Sequence, residues 1–202
     1  MPSRKPAGDR KADIVAAVLS LADRIGPDRL TTNDVAKEVG VTQAAIFRHF
    51  PTKAGLWSAV GEAIAARMAE AWQQAVDAND PPQDQLRALI TAQLRQIEAT
   101  PALPAILHSR ELNADNAALR TCFRGVLMQF QAHLVASLDG MARSGLLAAQ
   151  VPPKDAAMLL ISLVQGIAIR WSRGARDFPM LPEGMRLLEV QMSLFACRGS
   201  AS

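Results

Sequence analysis

Residues 31–57 read Thr31-Thr32-Asn33-Asp34-Val35-Ala36-Lys37-Glu38-Val39-Gly40-Val41-Thr42-Gln43-Ala44-Ala45-Ile46-Phe47-Arg48-His49-Phe50-Pro51-Thr52-Lys53-Ala54-Gly55-Leu56-Trp57. Their order predicts two short helices separated by a tight turn, then the start of a third. The first opens at Thr32, whose hydroxyl suits the free amides near Val35, with Asp34 in the first turn opposing the helix dipole. Gly40 ends it, because a turn between crossed helices needs a residue that accepts positive φ at little steric cost. Thr42 caps the second helix. Ile46 and Phe50, four apart, face inward against Val35, Ala36, Val39 and Val41, and Ala36 is small where the helices cross.

The opposite face of the second helix pairs Gln43 with Phe47 and Ala44 with Arg48, each again four apart. A helix laid in a DNA major groove needs amide or guanidinium groups that meet base edges in bidentate fashion. Gln43 and Arg48 meet that need, while Ala44 and Ala45 admit the backbone and suit thymine methyls. Thr52 then caps the third helix, with Lys53 at its first position. A cation there costs about 0.3–1 kcal/mol against the dipole, yet it suits a turn that holds phosphate. Taken singly, Gln43, Arg48 and Lys53 fit an ordinary solvated surface and His49 fits a packed core histidine. Taken together, cap, alanine, glycine, cap, apolar pair and basic outer face fall at helix-turn-helix spacings, and DNA is the partner they imply.

Residues 10–60, above all Leu30-Thr31-Thr32, Val35-Ala36, Gly40-Val41-Thr42, Ile46-Phe47-Arg48-His49-Phe50-Pro51 and Lys53, resemble the DNA-binding domain of the TetR family of bacterial repressors. The resemblance implies an all-α fold. A flexible basic arm (1–9) precedes an N-terminal three-helix bundle with the helix-turn-helix (10–56), and a larger helical ligand-binding and dimerisation domain follows (57–202). It assigns Thr32, Thr42, Phe47, His49 and Lys53 to phosphate and Gln43, Ala44, Ala45 and Arg48 to base edges. Two residues depart from the family pattern. Phe47 stands where Tyr is usual, which removes a hydroxyl contact to phosphate. Ala44 replaces a frequent Gly or Pro, which favours the helix but turns an extra methyl toward the groove.

Charge is distributed in keeping with such a division. Residues 1–60 hold nine Lys or Arg and six Asp or Glu, whereas residues 61–202 hold thirteen of each, so the whole formal charge of +3 is N-terminal. Phosphate attraction supplies most nonspecific DNA affinity, so a basic module on a neutral body fits separate reading and sensing parts. The chain is long enough for ample core, and 50% apolar content argues against disorder. No secretory signal is evident, and Ala156–Ile169 falls short of the roughly 20 apolar residues that span a bilayer, so a cytoplasmic location without a membrane partner is expected. Cys122 and Cys197 lack paired spacing, so reduced thiols and no metal are expected.

The remaining chain reads as helices, at about Lys11–Gly26, 53–78, 83–99, 102–109, 115–143, 153–173 and 183–198, separated by Pro, Gly or Asn signals. Two late apolar stripes, Leu160, Val164 and Ile167 in one helix and Leu188, Met192 and Phe195 in the next, suit either the protomer's own core or a dimer interface. The resemblance favours the interface. A two-fold dimer would set two reading heads about 34–36 Å apart and call for a palindromic operator.

Met68, Trp72, Leu94, Ile97, Leu103, Leu107, Phe123, Leu127 and Trp171 suit the wall of a small-molecule cavity and equally suit plain core. His108, Arg110 and Glu111 could orient a polar ligand or pair at the surface. No phosphate loop, zinc-ligand spacing or nucleophile elbow is present, so neither an enzyme nor a cofactor is expected. The function implied is a ligand-responsive repressor released from its operator by a small molecule. The alternative is a dimeric DNA-binding protein without an inducer, architectural or division-linked.

Overall fold

A computed structural model describes residues 7–174 and 176–196. These form ten helices: α1 (Ala7–Ile25), α2 (Thr32–Val39), α3 (Gln43–His49), α4 (Lys53–Ala75), α5 (Pro82–Ala99), α6 (Leu103–His108), α7 (Arg110–Asp115), α8 (Ala117–Arg143), α9 (Pro153–Arg173) and α10 (Met180–Phe195). The fold is all-α, as expected. Among the described residues the β-type pairing is one isolated bridge between Leu147 and Ala196.

The predicted helices are found with small shifts, and two differences stand out. α1 begins at Ala7 rather than Lys11, so the last three residues assigned to the arm are helical. Residues 1–6 of that arm lie outside the described residues. The single helix expected over 102–109 is followed by a separate one, α7, because Ser109 leaves the helical region at ψ 114° and starts a new helix by accepting the Leu112 amide at 3.0 Å. Cys197 also lies outside the described residues.

Packing groups the chain into two units that do not follow a cut at residue 56/57. One comprises Met1–Ala66 with Thr100–Arg124, the other Arg67–Ala99 with Gly125–Ser202. In the first, α1 packs on α2, α2 on α3, and α6 on α1. Ile14, Val18, Leu30, Val35, Ile46, Trp57, Val60, Ile106 and Leu119 are all at most 1% exposed and form its interior. α4 and α8 cross closely there: a Cβ on Gly61 would lie 2.6 Å from Leu119 Cδ1.

In the second unit α5, α9 and α10 pack on one another. Backbone approaches side chain at Gly184, where a Cβ would lie 2.6 Å from Leu94 Cδ1. Trp72, fully buried, stacks on Phe130 at 5.2 Å and donates its indole N–H to Gln93 Oε1 at 3.0 Å. Arg87 on α5 holds Glu189 on α10 through two hydrogen bonds of 2.8 and 3.0 Å. The pair is exposed, so its contribution is below about 1 kcal/mol.

α9 is long and apolar enough, by length and composition, to cross a membrane. Its Ala156, Ala157, Leu160, Ile161, Val164, Ile167, Ala168 and Trp171 are instead buried in the second unit, and a core helix passes the same test. The two stripes read as core or interface take part in that burial. Leu160, Val164, Ile167, Leu188 and Phe195 are 0–7% exposed within a single protomer, and Met192 is half-buried. The stripes chosen from periodicity are those turned to the protomer's own core. The apolar side chains left outside are Met158 (52% exposed), Leu159 (50%), Val190 (49%) and Leu194 (69%).

Candidate nucleic-acid interface

The first unit builds its exposed motif from local signals. Thr31, not Thr32, caps α2: it sits in extended backbone, its Oγ1 accepts the Asp34 amide at 3.2 Å, and the Asp34 carboxylate accepts the Thr31 amide at 3.0 Å. This reciprocal capping box satisfies two amides at once. The Thr31 side-chain and backbone hydrogen bonds hold the Asp34 carboxyl below the usual carboxylate range. Thr32 is the first helical residue, as expected, but its hydroxyl has another use: it accepts Gln43 Nε2 at 2.7 Å.

Gly40 ends α2 at φ 73°, with its amide on Lys37 O and the Val41 amide on Ala36 O at 2.9 Å. A side chain would find open space there, so the demand for glycine is one of backbone conformation. Thr42 then caps α3, accepting the Ala45 amide at 3.3 Å. Ile46 is fully buried and Phe50 is 6% exposed, anchoring α3 against Val35 and Ala36 as the spacing requires.

The outer flank is open. Thr42, Gln43, Ala44, Phe47, Arg48 and Lys53 are exposed, and Thr32, Ala45 and His49 are half-exposed. All nine residues assigned to DNA therefore lie on α2, α3, their caps or the first turn of α4, with none sealed in the core. Phe47 stands 40% exposed, a large apolar side chain in water beside Arg48. Thr52 caps α4 by accepting the Gly55 amide at 2.9 Å, which places Lys53 at the first helical position. Lys11, in sequence only one cation of a basic N-terminal stretch, brings its ammonium to 5.8 Å from the Phe50 ring centre, adding a cation from α1 at the end of α3. The signal was present in the basic pair Arg10-Lys11, but nothing in the spacing said which helix it would approach.

The residues proposed for a ligand wall are not brought together in one unit. Leu103, Leu107 and Phe123 belong to the first, and Met68, Trp72, Leu94, Ile97, Leu127 and Trp171 to the second. Leu107 and Leu127 are 38% and 41% exposed, so they stand apart from the buried remainder. Ile106, one residue before Leu107, and Phe130, three residues after Leu127, take the inward places instead. His108, Arg110 and Glu111 are exposed.

Comparison with known proteins agrees with the geometry of the first unit and extends along the chain. Residues 14–60 match the family described as bacterial regulatory proteins, tetR family. Over 183 residues the chain is 28% identical to the nucleoid occlusion factor SlmA of Vibrio cholerae, covering 90% of this chain and 92% of that protein. The SlmA of Vibrio atlanticus is 28% identical over 176 residues, covering 86% and 88%. Among solved structures, a TetR transcription regulator from Haloarcula marismortui aligns with a TM-score of 0.79 at 19% identity, covering 94% of this chain and 100% of that one. The fatty acid degradation regulator FadR from Bacillus halodurans gives 0.75 at 16% identity, covering 94% and 96%. At those identities the structural likeness speaks for the fold alone.

Proposed function

The chain belongs to the tetR family of bacterial regulatory proteins, and from that premise we propose that it is a cytoplasmic repressor. In this reading it binds a palindromic duplex operator as a homodimer and is released by a small molecule. The observation that carries the DNA-binding part is the exposed flank of α3, Gln43, Ala44, Phe47 and Arg48, on a helix anchored from behind by Ile46 and Phe50. Arg48 suits guanine and Gln43 suits adenine, the latter by giving up its bond to Thr32. Lys53, Thr42 and Thr52 suit the flanking phosphates.

Dimerisation is assigned to the outer stripe of α9 in place of the buried one. Asp155, Leu159, Ser162, Gly166 and Arg173 are exposed and follow one another at intervals of three, four or seven, the spacing of a helix-pairing seam. A second copy running antiparallel would set Asp155 against Arg173 at both ends. Gly166 leaves room for close approach, since an added Cβ there would meet no atom within 4 Å. Val190 and Leu194 of α10 extend the apolar area.

A ligand acts as an inducer only if it binds the released state more tightly, and a 100-fold preference corresponds to about 2.7 kcal/mol. The second reading, a dimeric nucleoid-occlusion type of DNA-binding protein without an inducer, is favoured by the 28% identity to SlmA along 90% of the chain.

Selection of duplexes from a random pool tests the common core. Enrichment of one two-fold symmetric site supports it, and no enrichment over bulk DNA ends it. Release of that duplex by a compound from a metabolite library separates the repressor from the second reading.

A further inference from the structure

We propose that Asn116, which lies on no DNA-facing surface, is the positioning residue for the turn of α4 that grips phosphate. The inference rests on the reading of Thr52 and Lys53 as phosphate contacts. Asn116 stands just before α8, is 6% exposed, and makes bonds in two directions. Its Oδ1 accepts the Leu119 amide at 3.0 Å, the ordinary duty of a helix cap, and lies 3.4 Å from the Ser58 hydroxyl oxygen. Its Nδ2 donates to the carbonyl oxygen of Ala54 at 2.9 Å. The Ser58 hydroxyl closes the triangle by donating to the same carbonyl at 3.0 Å.

Capping α8 needs only an oxygen, which Ser, Thr or Asp supplies equally well. The donor to Ala54 is the part that Asn adds. Ala54 sits between Lys53 and Gly55, whose amide Thr52 caps, so the amide of Asn116 holds the phosphate-facing turn itself. Leu56 and Trp57, each 1% exposed, fix where α4 lies. Apolar contacts set little about rotation or axial register, whereas a directional hydrogen bond in a dry surrounding sets both. The other end of α7 is tied in the same way: Ser109, 5% exposed, caps α7 and donates its hydroxyl to the Asp28 carboxylate between α1 and α2. Residues 109–119 thus act as a brace on the DNA-binding helices, and Asn116 is the point where the brace meets the phosphate grip.

The test uses the full chain and a duplex enriched by it from a random pool, with affinity measured by fluorescence anisotropy across a salt series. Asn116→Ser keeps an oxygen for the Leu119 amide and removes the donor. Asn116→Asp keeps the shape and sets an oxygen against the Ala54 carbonyl.

Both are expected to lose roughly five- to tenfold in affinity and about one unit of salt slope, the same loss expected of Lys53→Ala. The double variant Lys53→Ala with Asn116→Ser should bind no more weakly than Lys53→Ala alone, because both act through one contact. An unchanged salt slope in both Asn116 variants, or losses that multiply in the double variant, overturns the inference. If Asn116→Ser does not fold, the isosteric Asn116→Asp decides. Arg48→Ala separates this from the parent reading. Weakened binding by Arg48→Ala with unmoved Asn116 variants sinks only the brace, while failure of the unmodified chain to enrich any duplex removes both.

Discussion

The α2–α3 motif and the α9–α10 pair are both amphipathic helix pairs, yet the inward face was readable in one and left open between core and interface in the other. In α3 and its C-cap two bulky side chains, Ile46 and Phe50, mark the inner face, and apart from the exposed Phe47 small or polar residues hold the rest. In α9, Leu159 and Leu160 are chemically identical neighbours, one 50% exposed and the other fully buried. A helix that is apolar over most of its circumference offers two stripes, and periodicity finds both without ranking them. Sequence therefore orients a helix where its polar residues do the excluding, and fails where apolar residues serve both a core and an outer face.

Perturbing the α9 neighbours tests this most severely. Leu160→Ala is expected to destabilise the fold by about 2–5 kcal/mol in denaturant unfolding. Leu159→Glu should leave the monomer's unfolding nearly unchanged and shift sedimentation from dimer to monomer. Equal effects at the two positions would erase the distinction between inner and outer stripes.

In the motif, Arg48→Ala should cost about 1–3 kcal/mol on the selected operator and relax preference at one base pair. Retained discrimination in a binding-site selection would show that Arg48 does not read bases.

A smaller effect separates the two threonines. Thr31→Ala should cost about 0.5–2 kcal/mol of stability through loss of the cap, and Thr32→Ala less, with thermal unfolding as the readout. The Asp34 carboxyl is held below its ordinary value, so the stabilisation from its ionised form is present above the unfolded pKa. It is lost as pH falls through the folded one. The gap between wild type and Asp34→Asn should therefore close in acid, and a gap independent of pH would exclude the ionised capping box.

Phe47→Tyr carries the smallest expectation, a modest gain in affinity from a restored phosphate contact. No gain in anisotropy would place that phosphate beyond reach.

Much of the fold was legible because its signals are local. Gly40, Thr42 and Thr52 act where the spacing put them, and Asn79, Asp80 and Pro81 lie between α4 and α5, which opens at Pro82. The cap of α2 was misplaced by one residue because Thr31 and Thr32 are both competent caps, and only the Asp34 partner at the third helical position selects Thr31. Ser109 and Asn116 escaped notice for another reason. Each reads as an ordinary helix cap, and their partners Asp28 and Ala54 lie far away in sequence. Tertiary hydrogen bonds leave no periodic trace.

The return of residues 100–124 to the first unit has a consequence for inheritance. A chimera that transplanted only residues 1–66 onto a foreign body would carry Asp28 and Ala54 without Ser109 and Asn116. A functional transplant must take two separate stretches of the gene together, so DNA specificity in this chain is exchanged by recombination less easily than its compact N-terminal motif suggests.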